Sequence, residues 1–441
     1  MKTKKYKFSG KWKVERGMRN VCCRVSSLLF PLSSFLFTSL LFTSLLFTSC
    51  VEEFEADIPA EDSNLLVVEG TICSGKQNTF ALSRTQAINS SYIPRMVIGA
   101  SVSVRGNDGS EYRTQLVDGY YTCWIDNLNP DVEYCLHIET DGEVYESEPQ
   151  KPLRTEKIAD VCGVQNTPES NIDILVTTAA PYNPDQANYY SWTYDETWEV
   201  HPALTTNIYF DIKKMDRAYY DDDNPNPYPT RGWMDSNSSL TMIGGSQNYE
   251  GQHIQRLKMY EIDQRDERIS HRYSGLIHQR AISKAEYEYE LARRQASSEM
   301  GGLFTPQPSA LPTNIHCLTS NKRAIGFVGC SLNTSDYRFF LNAEDFTTHY
   351  MKKDGLLTLE YEGNDPEEYN EFLQECRRLV LEGMILCVWE DEREMIGGTL
   401  KTSWARYLNQ LDVRARGAYI EEPDFWSWKE NVSYCSLRAN E

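Results

Sequence analysis

Between residues 65 and 147 apolar and polar positions alternate in short runs separated by turn-forming residues, the period-two signature of half-buried strands. Seven runs carry the pattern, at 65–68, 79–82, 100–104, 111–114, 120–124, 134–138 and 143–145. Strands this short at this spacing predict an immunoglobulin-like β-sandwich over residues 64–150. Alternation assigns the faces: Ala100, Val102 and Val104 point inward on one strand, Tyr134, Leu136 and Ile138 on another. Gly106-Asn107-Asp108-Gly109 and Asp141-Gly142 supply residues that tolerate positive φ, as tight hairpins require. The stretch from Leu128 to Tyr134 has the look of a tyrosine corner, in which the phenol ties an interstrand loop to the backbone.

Residues 151–167 read as a linker, and a larger β-rich domain with a few helices follows over 168–441. It opens with the apolar run 172–178 and continues into 189–199, where Tyr190, Trp192, Tyr194 and Trp198 share one face and Ser191, Thr193, Asp195 and Thr197 the other. Exposed, such a row of rings makes a carbohydrate platform; buried, it is the inner face of a sandwich strand, and the strict alternation favours the core. From about 201 to 282 the pattern weakens and reads as a loop insertion, with Asp221-Asp222-Asp223-Asn224-Pro225 and Asp235-Ser236-Asn237-Ser238-Ser239 as loops. Helices are predicted at about 284–299, opened by the capping box Ser283-Lys284-Ala285-Glu286, and at about 366–383, opened by Asp365-Pro366. The second buries Tyr369, Phe372, Leu373, Cys376, Leu379 and Val380, and a buried strand follows at 384–389. The expected class is therefore mainly β.

The N-terminus breaks this pattern. Nine basic residues between Lys2 and Arg24 precede an apolar tract, 28–47, that ends in Phe47-Thr48-Ser49-Cys50. The arrangement reads as a signal peptide over 1–49, whether translation starts at Met1 or Met18. A transmembrane helix is the competing reading, since residues 28–49 reach across roughly 30 Å of hydrocarbon. Pro31, three diluting Thr-Ser pairs and the small polar residues before a cysteine favour cleavage and lipidation at Cys50. The tract resembles a lipobox, with Phe47 where Leu is usual. Acyl chains on Cys50 bury CH₂ groups at about 0.8 kcal/mol each, an effectively permanent anchor. Residues 50–63 then form an acidic linker in which Glu52, Glu53 and Glu55 resemble the export signal of surface-exposed lipoproteins.

Without residues 1–49 the chain holds 35 basic and 63 acidic residues, a net charge of −28. That balance excludes nucleic acid as a partner, because phosphate binding needs clustered Lys and Arg. Nine cysteines remain once Cys22 and Cys23 leave with the signal and Cys50 is lipidated: Cys73, Cys123, Cys135, Cys162, Cys317, Cys330, Cys376, Cys387 and Cys435. The number is odd and none is spaced for zinc. Cys123 and Cys135, on successive strands, are the expected disulfide if one forms; most of the cysteines are expected to be small buried apolar residues.

Candidate chemistry is sparse. The seven histidines include no pair at i and i+4; His271 and His278 either share a helical face or stand apart in core or solvent. There is no Gly-x-Ser-x-Gly elbow, Ser-x-x-Lys or phosphate loop. The run 221–223 invites a calcium hypothesis, yet counting from Asp221 puts Asn226 and Gly232 where an EF-hand needs Gly and Glu. No catalytic residue, metal ligand or cofactor is assigned, and a glycosidase-type carboxylate pair stays open among so many acids.

The lipobox-like cysteine and acidic run, then Leu66-Val67-Val68-Glu69-Gly70, Leu82-Ser83-Arg84-Thr85, the 189–199 strand, and Gly302-Leu303-Phe304-Thr305-Pro306-Gln307-Pro308 with Asn314-Ile315 together resemble the Bacteroidota outer-membrane lipoproteins of domain of unknown function 4249. Order and spacing match over about 50–345, with Thr305 where Asp is usual and Thr313 where Gly is usual. Glu422-Pro423-Asp424-Phe425-Trp426 resembles a family ending. The resemblance implies an outer-membrane, surface-exposed lipoprotein that assists a TonB-dependent β-barrel receptor in uptake, and it carries over no catalytic residue. The expected function is accordingly a non-enzymatic binding or accessory component. A surface adhesin or fimbrial-type subunit is the alternative, and a surface glycosidase or peptidase comes third.

Overall fold

A computed structural model describes residues 64–86, 95–183, 186, 188–238, 241–298, 311–351, 355–363, 365–394 and 398–426. The predicted signal, Cys50, Glu52, Glu53, Glu55, the 302–308 motif and Cys435 lie outside them. The described residues all belong to one unit, Pro59–Glu441.

Its first nine strands run close to the sequence expectation: β1 Leu66–Cys73, β2 Lys76–Arg84, β3 Arg95–Met96, β4 Ser101–Gly106, β5 Glu111–Arg113, β6 Gln115–Val117, β7 Tyr120–Ile125, β8 Tyr134–Thr140 and β9 Glu143–Ser147. Next come β10 Ile158–Val164, β11 Ile172–Thr178, β12 Tyr189–Val200, β13 Ile208–Asp211, β14 Asp216–Tyr219, β15 Gly232–Asn237, β16 Met242–Gly245, β17 Leu257–Ile262 and β18 Arg272–Ile282. After helix α1 Lys284–Ser298 follow β19 Ile315–Cys317, β20 Ala324–Ser331, β21 Ser335–Asn342 and β22 Leu356–Glu362. Helix α2 Pro366–Leu381, β23 Ile385–Asp391 and β24 Thr399–Ala405 complete the set. The protein is mainly β.

The first sandwich is built as its alternation demands. Val102, Val104, Tyr134, Leu136 and Ile138 are buried between two sheets, and the corner forms as expected, with the Asn129 N–H donating to Tyr134 Oη at 2.9 Å. The predicted boundary at residue 150 is corrected. One sheet runs β20-β1-β2-β7-β6 and the other β19-β9-β8-β4-β5, so both take a strand from beyond residue 314. Strands β1 and β20 pair in parallel from Leu66↔Ala324 to Cys73↔Ser331. A parallel partner so distant in sequence leaves no local signal.

A second sandwich encloses another core. The sheet β10-β11-β17 contributes Val161, Ile172, Ile174 and Met259, while the sheet β15-β12-β18-β21 contributes Tyr190, Trp192, Tyr273, Ile277 and Phe339. The aromatic row of β12 is thus core, not platform. Trp192 Nε1 donates to Gln279 Oε1 at 2.8 Å, and Gln279 Nε2 to the Glu156 carbonyl at 2.7 Å, so the polar atoms of this pair are satisfied. Two expectations fail here. The 151–167 linker contains β10, and the 201–282 insertion contains six strands, β13 to β18. Strand β18 escapes pattern reading because it buries polar residues on both faces, among them Arg272, Ser274 and Gln279.

A third layer packs α2 against β22-β24-β23 with the β13-β14 hairpin, around Phe210, Phe372, Cys376, Leu379, Leu400 and Trp404. Asp365 caps α2, its Oδ1 accepting the Glu367 N–H at 2.8 Å. At α1 only half of the capping box forms. Ser283 Oγ accepts the Glu286 N–H, while the Glu286 carboxylate pairs with Arg280. Cys123 and Cys135 are free thiols, which corrects the predicted disulfide. Cys123 points into the core from β7, whereas Cys135 follows Tyr134 on β8 and faces outward. Cys162 is disulfide-bonded.

Candidate functional site

The densest constellation of charged groups lies where β12, β15 and the start of β18 meet the chain's last described residues. Glu196 and Glu199, three apart on β12, face opposite sides of the strand. Glu196 stands in the aromatic row between Tyr194 and Trp198. There its Oε1 accepts Arg268 Nη1 at 2.7 Å and Tyr273 Oη at 2.8 Å, and Tyr273 Oη lies 2.7 Å from Tyr260 Oη. Arg268 in turn grips Asp266, at 3.0 Å through Nε and 2.8 Å through Nη2. Burial pushes the Tyr273 phenol well above its ordinary range.

On the other side, Glu199 Oε1 meets His201 Nε2 at 2.7 Å and Oε2 accepts Arg231 Nη2 at 2.9 Å. Arg231 reaches on to Glu422 at 3.1 Å and covers the Trp233 ring at 4.7 Å. The rings of His201 and His271 stack with centroids 3.9 Å apart. Burial opposes ionisation of Glu199, but the hydrogen bonds from His201 and Arg231 outweigh it and bring its pKa down to about 2. Nearby, Glu267 pairs with Arg416 and accepts Tyr350 Oη. Chemically the cluster holds fixed, paired charges. It braces β12 to the C-terminal segment, and Glu199 stays an anion with no proton to give at neutral pH.

This brace has a measurable weight. With its pKa held at about 2 instead of 4.5, Glu199 contributes on the order of 3 kcal/mol above pH 4.5. The contribution falls away as pH drops from 4.5 toward 2, because a depressed carboxyl loses its advantage once protons fill it. Glu199→Gln is therefore expected to unfold at lower urea than wild type at pH 7, with the two curves converging as pH approaches 2. A constant gap across that range would show that the ion pair is not the cause.

Sequence reasoning missed Glu196, Glu199, Arg231 and Arg268. A signal was present: a carboxylate interrupting an apolar strand face requires a buried cation, since an unpaired charge there is too costly. The histidine and aspartate candidates resolve differently. His271 precedes β18 and His278 lies within it, so no helical face unites them. His278 sits between Asp336 at 2.9 Å and Asp195 at 3.1 Å; burial lowers its pKa, and the two carboxylates more than reverse that and raise it. Asp221 Oδ1 accepts the N–H groups of Asp223 and Asn224, and no group of three potential metal ligands occurs among the described residues.

Two surface clefts lie among the described residues. One of about 380 Å³ lies at the open side of the first sandwich, where Arg105 and Arg113 both bind Glu111, at 3.1 and 3.0 Å. The other, of about 450 Å³, is lined by Gly355, Leu356, Arg406, Tyr407, Asn409 and Gln410.

These features define a mainly β protein of stacked sandwiches, whose charged cluster is a brace. The chain belongs to the family of domain of unknown function 4249, whose profile matches residues 51–336. No curated protein matches it. Among solved structures, a mutant of Salmonella alpha-2-macroglobulin is similar over 53% of this chain and 14% of its own, at 11% identity and a TM-score of 0.17, a likeness that carries no argument.

Proposed function

We propose that the chain is an outer-membrane lipoprotein, anchored through Cys50 and exposed at the cell surface, that serves as a non-enzymatic accessory of a TonB-dependent uptake system. The observation that carries this reading is the order of Leu46-Phe47-Thr48-Ser49-Cys50 behind an apolar tract, with Glu52, Glu53 and Glu55 directly after it. Family membership supports it, and so does the acidic balance of the chain beyond the leader. A lipidated cysteine needs no membrane-spanning helix, and among the described residues no helix is long and apolar enough to cross a bilayer. The partner on this reading is a β-barrel receptor.

The test is a crosslinked pull-down from intact cells with wild type and Cys50→Ala. The expected result is a TonB-dependent barrel recovered with the wild type alone. A lipidated, surface-located wild type that recovers no barrel would overturn the uptake assignment, while a Cys50→Ala chain that remains in the membrane would overturn the anchor.

A further inference from the structure

We propose that the edge of β22 that no described residue pairs with is a docking site for an extended peptide strand in which basic residues alternate with apolar ones. The inference does not depend on the lipid anchor.

A sheet edge presents unpaired N–H and C=O groups, and folded proteins blunt their edges by shortening, bulging or covering them. This chain does so almost everywhere among the described residues. Strands β3, β5, β6 and β19 have two or three residues, and β13, β14 and β16 have four. The pairings that leave β10, β17 and β23 at an edge all carry register shifts. Strand β15 is bridged by Tyr419 at Trp233, β20 is flanked by Leu153, and β21 is flanked by β10, whose Ile158 N–H donates to Ser335 Oγ.

Strand β22 departs from that rule. It runs for seven residues in unbroken register with β24, from Leu356↔Ala405 to Glu362↔Thr399. Among the described residues no backbone hydrogen bond reaches its other edge.

The side chains along this edge specify the occupant. Leu357, Leu359 and Tyr361 point toward α2, where Tyr361 meets Tyr369 and Phe372 at 5.5 and 5.9 Å. Leu357 and Leu359 stay half-buried. Thr358, Glu360 and Glu362 are exposed on the opposite face, and Glu360 has Lys401 of the neighbouring strand at 3.6 Å. A strand added at this edge continues both faces, so its inner residues lie beside two leucines and its outer residues beside two glutamates. Alternating apolar and basic residues complement both. The 450 Å³ cleft at Gly355 and Leu356, beside exposed Tyr407, leaves room for a flanking residue at the start of the groove. The whole element lies beyond residue 336, outside the portion that the family profile matches.

The test uses the full chain and a capped peptide alternating Lys and Val, with two controls: the same composition in blocks, and an alternating Glu and Val peptide. Binding is read by fluorescence anisotropy and the edge by amide exchange over 356–362. The alternating Lys peptide is expected to bind about tenfold tighter than either control and to slow exchange at 356–362. The exposed double variant Glu360→Lys with Glu362→Lys is expected to lose that preference and to favour the Glu peptide. Equal binding of the three peptides, or protection confined to other strands, would overturn the proposal. Concentration-dependent protection of 356–362 without peptide would assign the edge to a second copy of the chain and overturn the peptide assignment.

Discussion

Gly326→Ala is expected to cost about 3–5 kcal/mol, enough to unfold most of the protein at physiological temperature. Gly326 lies in β20 opposite Val68 of β1, with φ at +132°, a backbone conformation that L residues rarely adopt. A Cβ there would also collide with the Val68 carbonyl oxygen, which is backbone and held in the sheet, so no rotamer change relieves the contact. Gly363 supplies the control. Its φ is +113°, yet nothing lies within 4 Å of where its Cβ would go. Gly363→Ala should therefore cost only the conformational part, about 1 kcal/mol. Urea unfolding of the two variants separates the effects, and equal losses would refute the claim that close approach of β20 to β1 sets the cost. Because this pairing joins Leu66–Cys73 to Ala324–Ser331, the variant should disturb the first sandwich even though the substitution lies far downstream of it.

That long-range pairing also marks the limit of what the sequence reveals. Local rules were enough for the inner faces of β4 and β8, the hydroxyl bond of Tyr134 and the Asp365 cap of α2, because each depends on residues within a few positions of one another. They were not enough for β19 and β20, whose partners lie more than 160 residues upstream, as the pairs Ile315↔Ser147 and Leu66↔Ala324 show. Pattern reading also fails where burial is polar. Strand β18 places Arg272, Ser274 and Gln279 in the interior, and their partners come from other elements. The same rule explains the disulfide. Alternation that turns Tyr134 and Leu136 inward turns Cys135 outward, away from Cys123, so the faces already argued against that pair. Of the candidate residues, Cys50 and its acidic run lie outside the described residues, and their reading as anchor and export signal rests on linear sequence alone. Glu196 in an apolar face signals that a cation must answer it, but the partners of Glu196 and Glu199, Arg268 and Arg231, are brought to them only on folding.

Trp426→Ala is expected to lower stability by about 3–5 kcal/mol, with Trp426→Phe recovering most of the loss. Trp426 is fully buried although it follows the family's matched region by 90 residues. Its ring meets Phe340 of β21 edge-on at 5.6 Å and Trp233 of β15 at 6.2 Å, and Arg272 of β18 lies over it at 5.6 Å. Alongside it, the Trp233 and Tyr419 backbones bond to each other in both directions, and Glu422 holds Arg231. The C-terminal segment thus acts as a strap over the outer face of the sheet whose inner face makes the second core. The matched region ends at residue 336, the second residue of β21, so a chain cut there loses six residues of a core strand together with the strap. It should fail to fold, whereas a chain ending after Trp426 retains both. Thermal unfolding of the full chain and of the two substitutions checks the first expectation, and soluble expression of the two truncations checks the second. A Trp426→Ala chain that melts with wild type, or a soluble, cooperatively folded chain ending at 336, would show that the strap is dispensable and that the family's common region is a domain in its own right.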